Sequence, residues 1–195
     1  MKLRNHYRMG KAIWSKMVTN DMQLNKPLFI IGNLAPDLNI SFVFRLHTYK
    51  LCAPYVNKLL QRLYRADKPN CPGFSFITGV LTHYLCDFCC YPHTAAFSGS
   101  VRDHVLYEKK QNVKADEMLP FTKSDSMYYG LKELSTSLIE QLKKRERVLI
   151  HVAEKSNSDI PQAIHVATWA ASAVYLHAQQ MNNPFAHVVP QANIA

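Results

Sequence analysis

Residues 81–108, LTHYLCDFCCYPHTAAFSGSVRDHVLYE, place His83, Asp87, His93, His104 and Glu108 in an order suited to a metal cluster. His83 and Asp87 stand four apart, as do His104 and Glu108. On a helix that spacing puts both side chains on one face, a turn apart, so each pair can present two ligands to one ion. The segment predicts helices over 74–91 and 101–112, with Pro92-His93 as the break between the two ligand pairs.

The neighbours of these pairs decide how they are read. Val80, Leu81, Tyr84, Leu85 and Phe88 flank the first pair, and Val101, Val105, Leu106 and Tyr107 the second. Histidines and carboxylates in such apolar company must be paired or coordinated, because an uncompensated buried charge neutralises or destabilises the fold. Metal ligation is therefore the leading explanation. Upstream, Gly32-Asn33-Leu34-Ala35-Pro36-Asp37 ends an apolar run and delivers a carboxylate at a turn, His47 follows the aromatic segment 42–46, and His6 stands near the start. Taken singly these read as a helix cap, a loop histidine and a terminal residue.

Taken together, His6, Asp37, His47, His83, Asp87, His93, His104 and Glu108 form a series that resembles the zinc-dependent phospholipase C family, itself similar in fold to the fungal single-strand nucleases with three zincs. The resemblance rests on His83-x-x-x-Asp87, Pro92-His93 and His104-x-x-x-Glu108, and it covers roughly residues 1–110. It implies one zinc on Asp37, His47, His83 and Asp87, and another on His93, His104 and Glu108. A third zinc in the family uses the bridging aspartate, here Asp87, the early histidine, here His6, and the amino group and carbonyl of a terminal tryptophan. This chain departs there, since only five residues precede His6 and none is tryptophan. Two zincs are expected, and the third lacks its full ligand set. The family also makes Asp37 a candidate general base toward an attacking water.

The expected activity is hydrolysis of a phosphate ester by a zinc-activated water, with a nuclease or phosphomonoesterase on the same scaffold, or a metal-stabilised binding protein, as alternatives. Members that cleave phosphatidylcholine carry an aromatic directly after the aspartate, another three before the second histidine, and a glutamate near the N-terminus. Phe44 supplies the second and is a candidate substrate contact, but Leu38 follows Asp37 and no glutamate precedes it. Choline selectivity is not expected; a phospholipid headgroup remains one candidate substrate.

Composition frames the rest. A chain of 195 residues suits one compact all-α domain, a helical bundle with a multinuclear metal site between helices. The net charge of +9 favours anionic substrates, yet the basic residues are dispersed apart from Lys143-Lys144-Arg145, so nucleic acid is not the favoured partner. Five cysteines, three within 86–90, are unlike a secreted disulfide framework, and Cys86-x-x-Cys89 reads as buried small residues behind Asp87. No leader-like stretch or membrane span is evident, which makes the cytoplasm the default location and leaves oligomeric state open.

Periodicity predicts further helices over 3–19, around Val56, Leu59, Leu60 and Leu63, over 124–154, and over 159–181, the last opened by Asp159 and Pro161. Ser100 with Asp103 suits an N-terminal cap. His165 and His177, on the last helix, are read as core or interface residues with no catalytic role, and the tail from Asn182 as irregular.

Overall fold

The structure, a computed structural model, describes residues 1–38, 47–111, 130–151 and 155–182. Within them the chain is all-α: α1 (Leu3–Thr19), α2 (Lys26–Leu38), α3 (Tyr49–Tyr64), α4 (Pro72–Phe88), a 3-10 turn (Tyr91–His93), α5 (Val101–Lys110), α6 (Leu131–His151) and α7 (Lys155–Asn182).

Helix α4 is the axis of the bundle. Pro72 opens it at a position where a missing N–H costs nothing, and every residue from Ile77 to Phe88 is buried. Helix α2 lies against it at very short range. A Cβ on Gly79 would stand 2.1 Å from the carbonyl oxygen of Phe29, and one on Gly32 would stand 2.1 Å from that of Phe76. The two glycines thus let the backbones touch, fixing where Asn33 and Asp37 of α2 sit relative to His83 and Asp87 of α4. Helix α7 packs on the other side through Ala163, Ala167, Ala170, Ala171, Val174 and Ala178, all fully buried or nearly so. Helix α1 closes the core with Met9, Ile13 and Met17, spaced four apart on one face. The α3 stripe of Val56, Leu59, Leu60 and Leu63 is buried as its periodicity implies.

Three sequence expectations are corrected. Asp37 is not at a turn: α2 continues to Leu38 with Pro36 inside it. Pro36 lies in the last turn, where it removes only one backbone hydrogen bond. Helix α7 begins at Lys155, one turn before Asp159, so Pro161 falls inside it and Asp159 does not cap its own helix. Its carboxylate instead pairs with Arg145 and accepts hydrogen bonds from neighbouring elements. Finally, α4 stops at Phe88 rather than 91, because Pro92 cannot continue it and the chain turns into the 3-10 segment that carries His93. The capping box of Ser100 and Asp103 is present at the start of α5.

Gly79→Ala is expected to destabilise the fold by about 1–3 kcal/mol, since the new methyl must push α2 away from α4. A lowered denaturant midpoint for the metal-free variant is the check; an unchanged midpoint would show that the two helices have slack.

Candidate metal centre

The central group is Asp87, completely buried on α4 with its two carboxylate oxygens serving different neighbours. Oδ2 faces His47 Nδ1 at 3.1 Å and His83 Nε2 at 3.3 Å. Oδ1 faces His6 Nε2 at 3.2 Å, the Met1 amino nitrogen at 2.9 Å and His93 Nε2 at 3.7 Å. Asp37 completes the first set: its Oδ1 lies 3.7 Å from His83 Nε2 and 4.0 Å from His47 Nδ1, and those two nitrogens are 3.1 Å apart. In the second set, His93 Nε2 and His104 Nε2 stand 3.4 and 2.6 Å from Glu108 Oε1.

These separations are those of ligands around a shared ion. Donors about 2.0–2.1 Å from a tetrahedral zinc lie about 3.3 Å from one another, and the contacts above bracket that value. Three groups of metal-ligating atoms result: His6, His83 and Asp87; Asp37, His47 and His83; and His93, His104 and Glu108. Buried polar atoms without a hydrogen-bond partner point the same way, since the second oxygen of Asp37 is one of them. An imidazole and carboxylate donor set suits zinc.

Surrounding groups orient the ligands. The Nδ1–H of His83 donates to the carbonyl oxygen of Asn33 at 2.8 Å, which leaves the Nε2 lone pair facing Asp37 and Asp87. With its amide turned so that both ends are satisfied, Asn33 donates to the carbonyl of His6 at 2.7 Å and accepts from Thr82 Oγ1 at 3.0 Å. One α2 residue therefore ties α1 and α4 together beneath the cluster. Asn33 was missed in the sequence, although it is polar in an apolar run and four residues before Asp37.

Electrostatics show how tightly the site is balanced. Burial opposes ionisation of Asp87, but the Met1 amino group, His93 and His6 hold it well below the usual carboxylate range. Burial also opposes the charge on the Met1 amino group, yet Asp87, Glu108 and Asp37 carry it up to about 11. His6 is pushed down to about 3, first by burial and then by the His83 ring stacked on it. Burial raises Asp37. Asp37, His104 and Glu108 are the most accessible members, with 21 %, 15 % and 12 % of their side chains exposed, so the cluster opens on that side.

Every sequence-predicted ligand thus reaches one cluster: His6, Asp37, His47, His83, Asp87, His93, His104 and Glu108. The Met1 amino group joins them, 3.2 Å from His93 Nε2 and 3.0 Å from Glu108 Oε1. The short segment before His6 thus brings a nitrogen to 2.9 Å from Asp87 Oδ1. Phe44 lies outside the described residues. None of the three groups contains a cysteine; Cys86, Cys89 and Cys90 are buried and free, and burial pushes the Cys89 thiol up to about 12. His177 packs on Tyr64 at 4.2 Å between ring centroids, and His165 lines a groove between α6 and α7.

Residues 5–169 match the family described as zinc dependent phospholipase C. The chain belongs to that family. The match runs from α1 well into α7, past the 1–110 region in which the ligand motifs are found, so α6 and the first half of α7 are part of the family's extent. No curated protein and no solved structure matches. No described helix is long and apolar enough to cross a membrane.

Without metal, stability is expected to fall on acidification. His6 is held at about 3 in the folded chain against an ordinary value of 6.5, so between those limits the unfolded state binds more protons. Folding is then weakened as pH falls, with a limiting slope of about 1.4 kcal/mol per pH unit for one proton. The depressed Asp87 adds a further loss as pH falls below its ordinary 3.8 toward its lower folded value, while Asp37, raised by burial, opposes the trend above 3.8. Denaturant midpoints of chelator-treated protein between about pH 7 and about pH 4 test this; a flat profile would show that His6 is not kept neutral.

Proposed function

We propose that the protein hydrolyses phosphate esters, as a phospholipase C-like phosphodiesterase, at the centre formed around Asp87. The observation that carries this reading is the convergence of five imidazoles and three carboxylates at ligand spacing, opening to solvent on the Asp37 side. On this reading Asp37, His47, His83 and Asp87 hold one zinc, and His93, His104 and Glu108 hold a second. Bound zinc supplies a water acidic enough to attack at neutral pH and a positive charge for phosphate oxygens.

The chain's own groups do the remaining work. Asp37 is the accessible carboxylate of the first set, and burial moves it toward neutrality, which suits a group that accepts a proton from the attacking water. Asp87 faces His47 and His83 with one oxygen and His6 and the Met1 nitrogen with the other, and carries buried negative charge opposite the cations. The net charge of +9 favours an anionic substrate over a neutral ester. A phospholipid headgroup is one such substrate, and Phe44 a residue that would contact it. A third ion, if bound, would use His6 and Asp87 with the Met1 nitrogen. That nitrogen is engaged as an ammonium with Asp87 and Glu108, so the third ion is expected to be labile under mild chelation.

Two outcomes follow from this assignment. His93→Ala or Glu108→Ala is expected to remove one zinc and leave the other, because that triad shares no ligand with Asp37, His47 and His83; elemental analysis per chain is the measurement, and purified protein never exposed to chelator but free of metal would end the reading. Asp37→Asn is expected to lower turnover of an aryl phosphodiester by at least about a hundredfold, the loss of a ligand and a base together. Wild-type turnover in that variant would place the chemistry elsewhere.

A further inference from the structure

Helix α5 supplies His104 and Glu108, yet none of its residues is buried, and Val101, Val105 and Leu106 are exposed. A helix with so little apolar anchorage must be positioned by polar contacts. Those contacts converge on one carboxylate outside the cluster. Asp159, fully buried on α7, accepts from Tyr107 Oη at 2.5 Å and from Gln111 Nε2 at 3.3 Å, and Gln111 is the C-terminal cap of α5. The same oxygen accepts from the backbone N–H of Tyr91 at 3.1 Å, at the start of the 3-10 turn that ends in His93. Its other oxygen is held by Arg145 Nη2 at 2.6 Å, and Arg145 Nε donates to the carbonyl of Cys89, two residues beyond Asp87, at 3.3 Å.

Resting on the metal centre proposed above, we infer that Asp159, clamped by Arg145, is a positioning residue for the His93, His104 and Glu108 triad. One carboxylate oxygen fixes both elements that deliver the triad: α5 through Tyr107, which directly precedes Glu108, and the 3-10 turn through Tyr91. The distance between His93 and the α5 pair is then set by Asp159 together with the ring contact of Tyr91 and Tyr107, 5.8 Å between centroids. Groups that orient metal ligands from outside commonly govern affinity by about 10–100-fold.

The test counts zinc per chain during a graded chelator titration of the wild type, Asp159→Asn, Tyr107→Phe and Ser100→Ala. Tyr107→Phe removes one hydroxyl without unpairing Arg145, and so keeps the test open if Asp159→Asn fails to fold. Ser100→Ala weakens the α5 cap without touching Asp159. The expected result is that Asp159→Asn or Tyr107→Phe releases one zinc at about 10–100-fold lower chelator strength, that the other zinc is held as in the wild type, and that Ser100→Ala leaves both in place. Parallel loss of both ions, an unchanged titration in Tyr107→Phe, or equal release from Ser100→Ala would each overturn the inference in favour of a purely structural ion pair. A wild type that binds two zincs while Tyr107→Phe is silent sinks this inference alone; a wild type that binds none sinks the metal centre as well.

Discussion

A carboxylate with no solvent contact, Asp87, is the constraint on which the rest depends. Its charge must be answered from within the protein, because an unpaired buried ion is destabilising by several kcal/mol. The answer comes from α1 with its leading residue, the segment before α3, α4 itself and the 3-10 turn, which bring Met1, His6, His47, His83 and His93 to within 4 Å of its two oxygens. Elements distant in sequence are thereby committed to one point, and the helices have to arrive there at fixed heights.

The backbone arrangement meets that demand chiefly at the α2–α4 contact. Gly32 and Gly79 remove the side chains that would hold the helices apart, and Asn33, between Gly32 and Asp37, uses the closeness to bond His6 and Thr82. Rigidity under the cluster is gained by packing and hydrogen bonding together. The second triad is built differently. Its helix α5 sits at the periphery, and a buried ionic hub at Asp159 stands where the first set has a helix interface. The first set is thus held by a close helix contact with Asn33 at its centre, and the second by polar anchors at the periphery.

Much of this was legible before any coordinates. The four-residue spacing of His83 with Asp87 and of His104 with Glu108 is a statement about one helical face, and local geometry alone brings each pair together. Pro92 marks the break, and Ser100 with Asp103 marks the next start. Asp37 and His47 were legible only through family resemblance, since neither has a local partner in the sequence. Asn33 and Asp159 were not read for what they do. Asn33 acts across two helix interfaces, and Asp159, two residues before Pro161, imitates a helix cap so well that its partners, Arg145 on α6 and Tyr107 on α5, are invisible from sequence distance.

The sequence by itself determined that the chain is helical, where the ligand pairs lie and which donor chemistry they offer, because periodicity and i, i+4 spacing act within one element. Tertiary structure alone decided that Asp87 meets His6, His47, His83 and His93 at one buried point, which side of the cluster is open, and that the second triad hangs on Asp159. Those properties depend on the depth of burial and on the approach of separate helices, which are set by packing across the bundle and leave no periodic trace along the chain.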